Sequence, residues 1–139
     1  MSKRNKIIYW GSTIWLAAGM VATGIQQLFK MEIEGALAPP GVWGISLLGY
    51  PVYFLTILGV WKILGVVVLL VPKFPLFKEW AYAGFFFIMT GAIFSHIAVG
   101  HSFAEIFPAL LLLVLTIVSW YFRPLDRTLV HMKMNAVKI

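Results

Sequence analysis

The residue best placed to do chemistry in this sequence is Lys62. It lies near the middle of an apolar run from about Ile45 to Val71. An ammonium group at the centre of a bilayer costs at least ~2.5–3.5 kcal/mol on insertion scales, so an intramembrane cation is a functional candidate by default. Gly59 and Gly65, three residues to either side, put it on the helix face best suited to a close neighbour. There it can donate hydrogen bonds and charge to a carboxylate, a backbone carbonyl or a ligand oxygen. The competing reading is a long stem that snorkels to the headgroups, or a purely structural ion pair.

A second group of polar residues gathers toward one edge of the apolar runs: Gln26 and Gln27, Ser95 and His96, His101, and Glu105. They come from three segments and converge in depth, as a polar vestibule above Lys62 would require. Glu105 is the obvious partner for Lys62. However, Ser102-Phe103-Ala104-Glu105 also matches the S-x-x-E capping box that opens a helix. There the carboxylate meets the positive end of the helix dipole. At 1.5 Å per residue the depth gap between Glu105 and Lys62 is roughly 10–15 Å, so a water or ligand would have to bridge them. His96 can take part in a polar or pH-sensitive site, or bond the adjacent turn. Two histidines and a glutamate without motif spacing do not form a metal site.

Positioning these groups requires four apolar spans of about 20 residues each, the length that crosses about 30 Å of hydrocarbon. The expected spans are 7–29, 48–71, 80–99 and 103–122, with Pro51 marking a kink or the true start of the second. The first is too long for a signal-peptide core and lacks an A-x-A-like site, so it reads as a retained helix. Lys30 to Trp43 carries Glu32, Glu34 and Pro39-Pro40-Gly41, a turn signal. Pro72 and Pro75 stop a helix. A basic tail follows over 123–139.

Small residues matter in such a bundle because lipid is as apolar as leucine. Gly84, Gly91 and Ala98 recur every seven residues and form a candidate packing stripe. Gly11, Ala18 and Ala22 form another, and Gly59 and Gly65 a third.

Composition agrees with this medium. The chain has 61% hydrophobic and 12% charged residues and a mean hydropathy of +0.91. Soluble domains carry about 25% charged residues. The net charge is +6, but the cations sit at the ends of apolar runs rather than on a nucleic-acid-binding face. Lys3, Arg4, Lys6, Lys73, Lys78, Arg123, Arg127, Lys133 and Lys138 fall on one side, against Lys30 on the other. The positive-inside rule then puts both termini in the cytoplasm. Tyr9, Trp10, Trp43, Trp80, Trp120 and Tyr121 fit an interfacial belt. The fold class is thus an all-α polytopic membrane protein, a four-transmembrane-helix bundle in one membrane domain over 1–139.

The sequence has no cysteine, which excludes thiolate metal sites, Fe–S clusters and covalent haem. His131 lies in the opposite tail, so bis-histidine haem has no geometry either. No phosphate-binding loop, nucleophile elbow or zinc-protease motif occurs. Nothing points to catalytic activity of its own.

Three stretches carry a family resemblance: Lys62-Ile63-Leu64-Gly65, Pro72 to Gly84 (PKFPLFKEWAYAG), and Gly91 to Gly100 (GAIFSHIAVG), with a closing Arg123-Pro124. In these the chain resembles the DoxX-like family of small four-helix membrane proteins, over roughly Gly44 to Pro124. The resemblance implies a bacterial inner-membrane protein. It also implies that Lys62, Gly65, Ser95 and His96 belong to the family's inner polar site; Glu105 joins them on depth. Where such proteins often carry an acid after Gly100, this chain has His101. One related branch contains a subunit of a thiosulfate:quinone oxidoreductase, another a chaperone for receptor assembly.

Three functions follow as expectations. The first is an accessory protein whose intramembrane site binds a lipid-like molecule or partner transmembrane helices, with an assembly or chaperone role. The second is a quinone-binding subunit of an oxidoreductase complex. The third is a small-solute or proton pathway that needs a homo-oligomer.

Overall fold

The computed structural model describes residues 1–29 and 49–137. The turn expected over Lys30 to Trp43 and the stretch 44–48 lie outside the described residues. The elements are α1 (Lys3–Leu28), α2 (Tyr53–Leu70), α3 (Pro75–Ala98) and α4 (Phe103–Tyr121), then a 3-10 turn (Leu125–Arg127) and α5 (Leu129–Val137). All four long helices are long and apolar enough to cross a membrane, and no strand occurs among the described residues.

The helix starts follow local chemistry. Ser2 caps α1 by accepting the Asn5 N–H. α2 starts after Pro51, at Tyr53, so this proline marks the beginning of the second span. α3 starts at Pro75, five residues before the expected Trp80, because proline is well suited to a first helical position. The turn before it is tight: Lys73 and Phe74 both take positive φ, 67° and 54°, a region that costs a side-chain-bearing residue energy. The capping box at Ser102 and Glu105 is formed, with both reciprocal bonds present. The tail expected to be merely polar and basic contains the 3-10 turn and α5.

The helices pack in a ring, α1 against α2 and α4, and α3 against α2 and α4. Leu16, Met20, Leu69, Phe85 and Met89 are buried between them, with Leu112 and Leu115. Trp15, Phe87 and Phe94 are exposed on the perimeter, which suits a lipid surround. Against it, the interior holds buried Ser12, Thr13, Lys62, Lys78, Ser95, Thr116, Ser119 and Arg127.

Glycine packing differs from the sequence expectation at several positions. A Cβ at Gly59 would lie 2.7 Å from Leu28 and 2.9 Å from the Gly24 carbonyl, so α1 and α2 cross closely there. A Cβ at Gly65 would lie 2.6 Å from the Phe85 ring. At Gly84, Gly91 and Gly11 it would meet nothing within 4 Å, and Ala18, Ala22 and Ala98 are exposed. Among the described residues the seven-residue stripe on α3 therefore does not face another helix, nor does the Gly11 face of α1. The buried face of α1 runs instead through Leu16, Ala17, Met20 and Gly24.

Candidate functional site: an intramembrane lysine and its surroundings

Lys62 points into the bundle. It is 4% exposed, and its Nζ donates to Thr23 Oγ1 on α1 at 3.1 Å. Thr23 in turn donates to the Gly19 carbonyl at 2.9 Å. One hydroxyl thus gives its proton to its own helix and its lone pair to the lysine. Lys62 lies nine residues after the start of α2 and eight before its end, about 13 and 12 Å at the helical rise. The stem does not snorkel. Gly24 and Gly59 explain how it fits: the close crossing they permit brings α1 to the lysine stem, within 3.4 Å of a Cβ built at Gly24.

The other sequence-picked residues divide into separate pairs. Ser95 is buried and its Oγ lies 3.0 Å from Tyr50 Oη, just ahead of α2. His96 Nδ1 lies 2.7 Å from His101 Nδ1, so one ring donates and the other accepts. Glu105 Oε2 accepts from the Ser102 N–H at 2.8 Å and the Ser102 hydroxyl at 3.1 Å. Its charge lies close enough to act on both imidazoles. Gln27, one turn beyond Thr23, has a buried Oε1 with no hydrogen-bond partner among the described residues. Gln26 is exposed and does not join the group.

The direct pairing of Lys62 with Glu105 does not form. The one ion pair among the described residues joins Arg123 Nη1 to Glu79 Oε1 at 2.6 Å. Glu105 is held at the rim by its own cap, and one helical side chain cannot cover the distance to the centre. Among the described residues no cluster of three His, Asp or Glu side chains could hold a metal ion.

The sequence reading missed a second polar centre, at the end of the bundle that carries both termini. Lys78 is 1% exposed. Its Nζ donates to Val68 O at 2.5 Å, to Leu69 O at 3.2 Å and to Val71 O. These are the carbonyls that the end of α2 leaves without helical partners. Arg127 donates to Leu69 O at 2.9 Å and to Tyr9 Oη at 3.3 Å, and lies over the Trp10 ring at 4.9 Å. Arg123 lies over the Tyr82 and Trp120 rings. It is close to Glu79 in charge, but at an angle that leaves its Nη1 and Nε without a hydrogen bond. Trp120 Nε1 donates to Glu79 Oε2 at 3.1 Å. Deeper in, Ser119 Oγ lies 2.7 Å from both Thr13 Oγ1 and Tyr82 Oη. The available signal was a lysine three residues after Pro75, in the first turn of α3 and close behind the end of α2, where a cation can reach orphan carbonyls.

These contacts also fix the topology. Arg127 touches the start of α1 and the end of α2, and Glu79 near the start of α3 touches residues at the end of α4. Successive helices are antiparallel.

Comparison with known proteins agrees with the fold. The model of the DoxX-like family matches residues 11–119, and the chain belongs to that family. No curated protein and no solved structure matches it.

Proposed function

We propose that this DoxX-like membrane protein is an accessory protein whose bundle holds the polar group of a lipid-like molecule at Lys62. The observation that carries the reading is the direction of the lysine: a cation at mid-membrane depth, turned inward, with one neutral hydroxyl as its partner among the described residues. A lysine ammonium has three donors, and a single bond to Thr23 leaves capacity for a ligand oxygen. Gln27, on the same face of α1 as Thr23, adds an amide. The Tyr50–Ser95 and His96–His101 pairs are separate from these groups, toward the end away from the termini. A carbonyl, carboxyl or phosphate oxygen fits this donor set.

The same donors would suit a quinone carbonyl. Because the sequence has no cysteine to hold an Fe–S cluster or form a thiol couple, that role calls for a partner that supplies the electrons. The cations that remain exposed near the two-termini end, Lys3, Arg4, Lys6 and Lys73, support a cytoplasmic location for both termini under the positive-inside rule. A C-terminal reporter that is active only in the cytoplasm should be active.

The test is a census of bound small molecules. Protein extracted in mild detergent should carry an oxygen-bearing amphiphile that mass spectrometry identifies, and Lys62→Met should retain at least tenfold less of it. An identified quinone would select the oxidoreductase role. An unchanged complement in Lys62→Met would remove the ligand reading.

A further inference from the structure

A second candidate site lies on the outer face of α2 and α3, away from Lys62. A groove of about 460 Å³ runs between these helices. Its walls are the rings of Trp61, Phe77 and Trp80, and its floor is made by Gly65, Ala81 and Gly84. The floor is open at Gly84, where a Cβ would meet nothing within 4 Å, whereas the Phe85 ring packs against Gly65. Along α3 the groove extends from Phe77 to Ile88, about 16 Å at the helical rise. A smaller hollow lined by Val68, Phe74 and Phe77 continues it to the α2–α3 turn. Lys73 is exposed on that turn.

We propose that this groove seats one acyl chain of an anionic phospholipid, with the phosphate held at the α2–α3 turn by Lys73. Shape favours a single chain. A helix about 10–12 Å across can lay only a ridge on a hollow of this volume, whereas a hydrocarbon tail lies within it. Charge favours an anionic headgroup. The groove ends at a lysine, and basic positions flanking membrane helices attract anionic lipids. The wall nearest the headgroup is fixed, because Lys78 holds the Val68 carbonyl from inside the bundle. The site is independent of the Lys62 reading: Lys62 faces α1, while the neighbouring Trp61 is 55% exposed on the groove side.

The experiment is native mass spectrometry after reconstitution in equal amounts of phosphatidylglycerol and phosphatidylcholine. The wild type should retain one phosphatidylglycerol with at least tenfold preference. Gly84→Leu puts a side chain into the groove from a position where a Cβ meets nothing within 4 Å, so it should lose at least tenfold of either adduct at an unchanged unfolding midpoint. Lys73→Asn keeps a residue tolerant of positive φ and removes the charge. It should keep the adduct and bring the preference close to one, which preserves a readout if Gly84→Leu fails to fold. Lys62→Met should leave the phospholipid adduct intact. Equal retention of the two lipids by the wild type would overturn the proposal, as would an unchanged adduct in Gly84→Leu. A wild-type dimer that Gly84→Leu splits would also overturn it, by naming a second copy as the occupant.

Discussion

At the end of the bundle that carries both termini, Lys78 and Arg127 direct their protons at backbone carbonyls of α2, and Arg127 rests on the Trp10 ring. Midway along α2, Lys62 directs one bond at a threonine hydroxyl that already has a role in its own helix. All three cations are buried. The difference lies in what each would leave behind. Without Lys78, carbonyls at the end of α2 lose their partner; without Lys62, Thr23 keeps its bond to Gly19. Buried charge at the first place caps backbone carbonyls, whereas at the second it meets a single side-chain hydroxyl among the described residues.

The largest effect should come from Lys78→Met. It removes a charged donor from three carbonyls, and bonds to charged groups contribute ~1.5–3 kcal/mol each, without strict additivity. We expect a loss of about 3 kcal/mol or more, seen as a lower unfolding midpoint in detergent. Gly59→Leu comes next. Its side chain must displace Leu28 and the Gly24 carbonyl, and such overpacking costs about 1–3 kcal/mol. This variant should also loosen Lys62, because it parts the helices that hold it. His101→Ala removes the bond to His96 and should cost about 0.5–1.5 kcal/mol; a larger loss would make the far end as structural as the near one. Gly91→Ala should be harmless. With open space around it, better helix propensity contributes up to about 1 kcal/mol of stability, and a loss would mean that α3 packs there on something beyond the described residues.

Much of this was legible from residue types. Four spans follow from run length and from proline punctuation, and Ser102 with Glu105 gives the start of α4 in full. Lys62 stood out as a candidate because a charge at the middle of an apolar run is costly. Lys78, Arg123 and Arg127 were not legible for the converse reason: a cation at the end of a span always has one, namely orientation in the membrane. Only the fold shows that Lys78 turns back under α2 and that Arg127 reaches Tyr9. The glycine stripe on α3 misled because regular spacing defines a face but not what lies against it. The crossing of α1 with α2 came from Gly24 and Gly59, on different helices, which no pattern within one segment connects.

The most direct test is the pair of unfolding midpoints for Lys62→Met and Lys78→Met, measured in the same detergent. Replacing a lightly bonded buried cation by an apolar side chain is often neutral or stabilising. The Lys62 variant should therefore match or exceed the wild type while the Lys78 variant falls well below it. If Lys62→Met falls as far as Lys78→Met, Lys62 is a strut of the fold, and the case for a ligand at that lysine is lost.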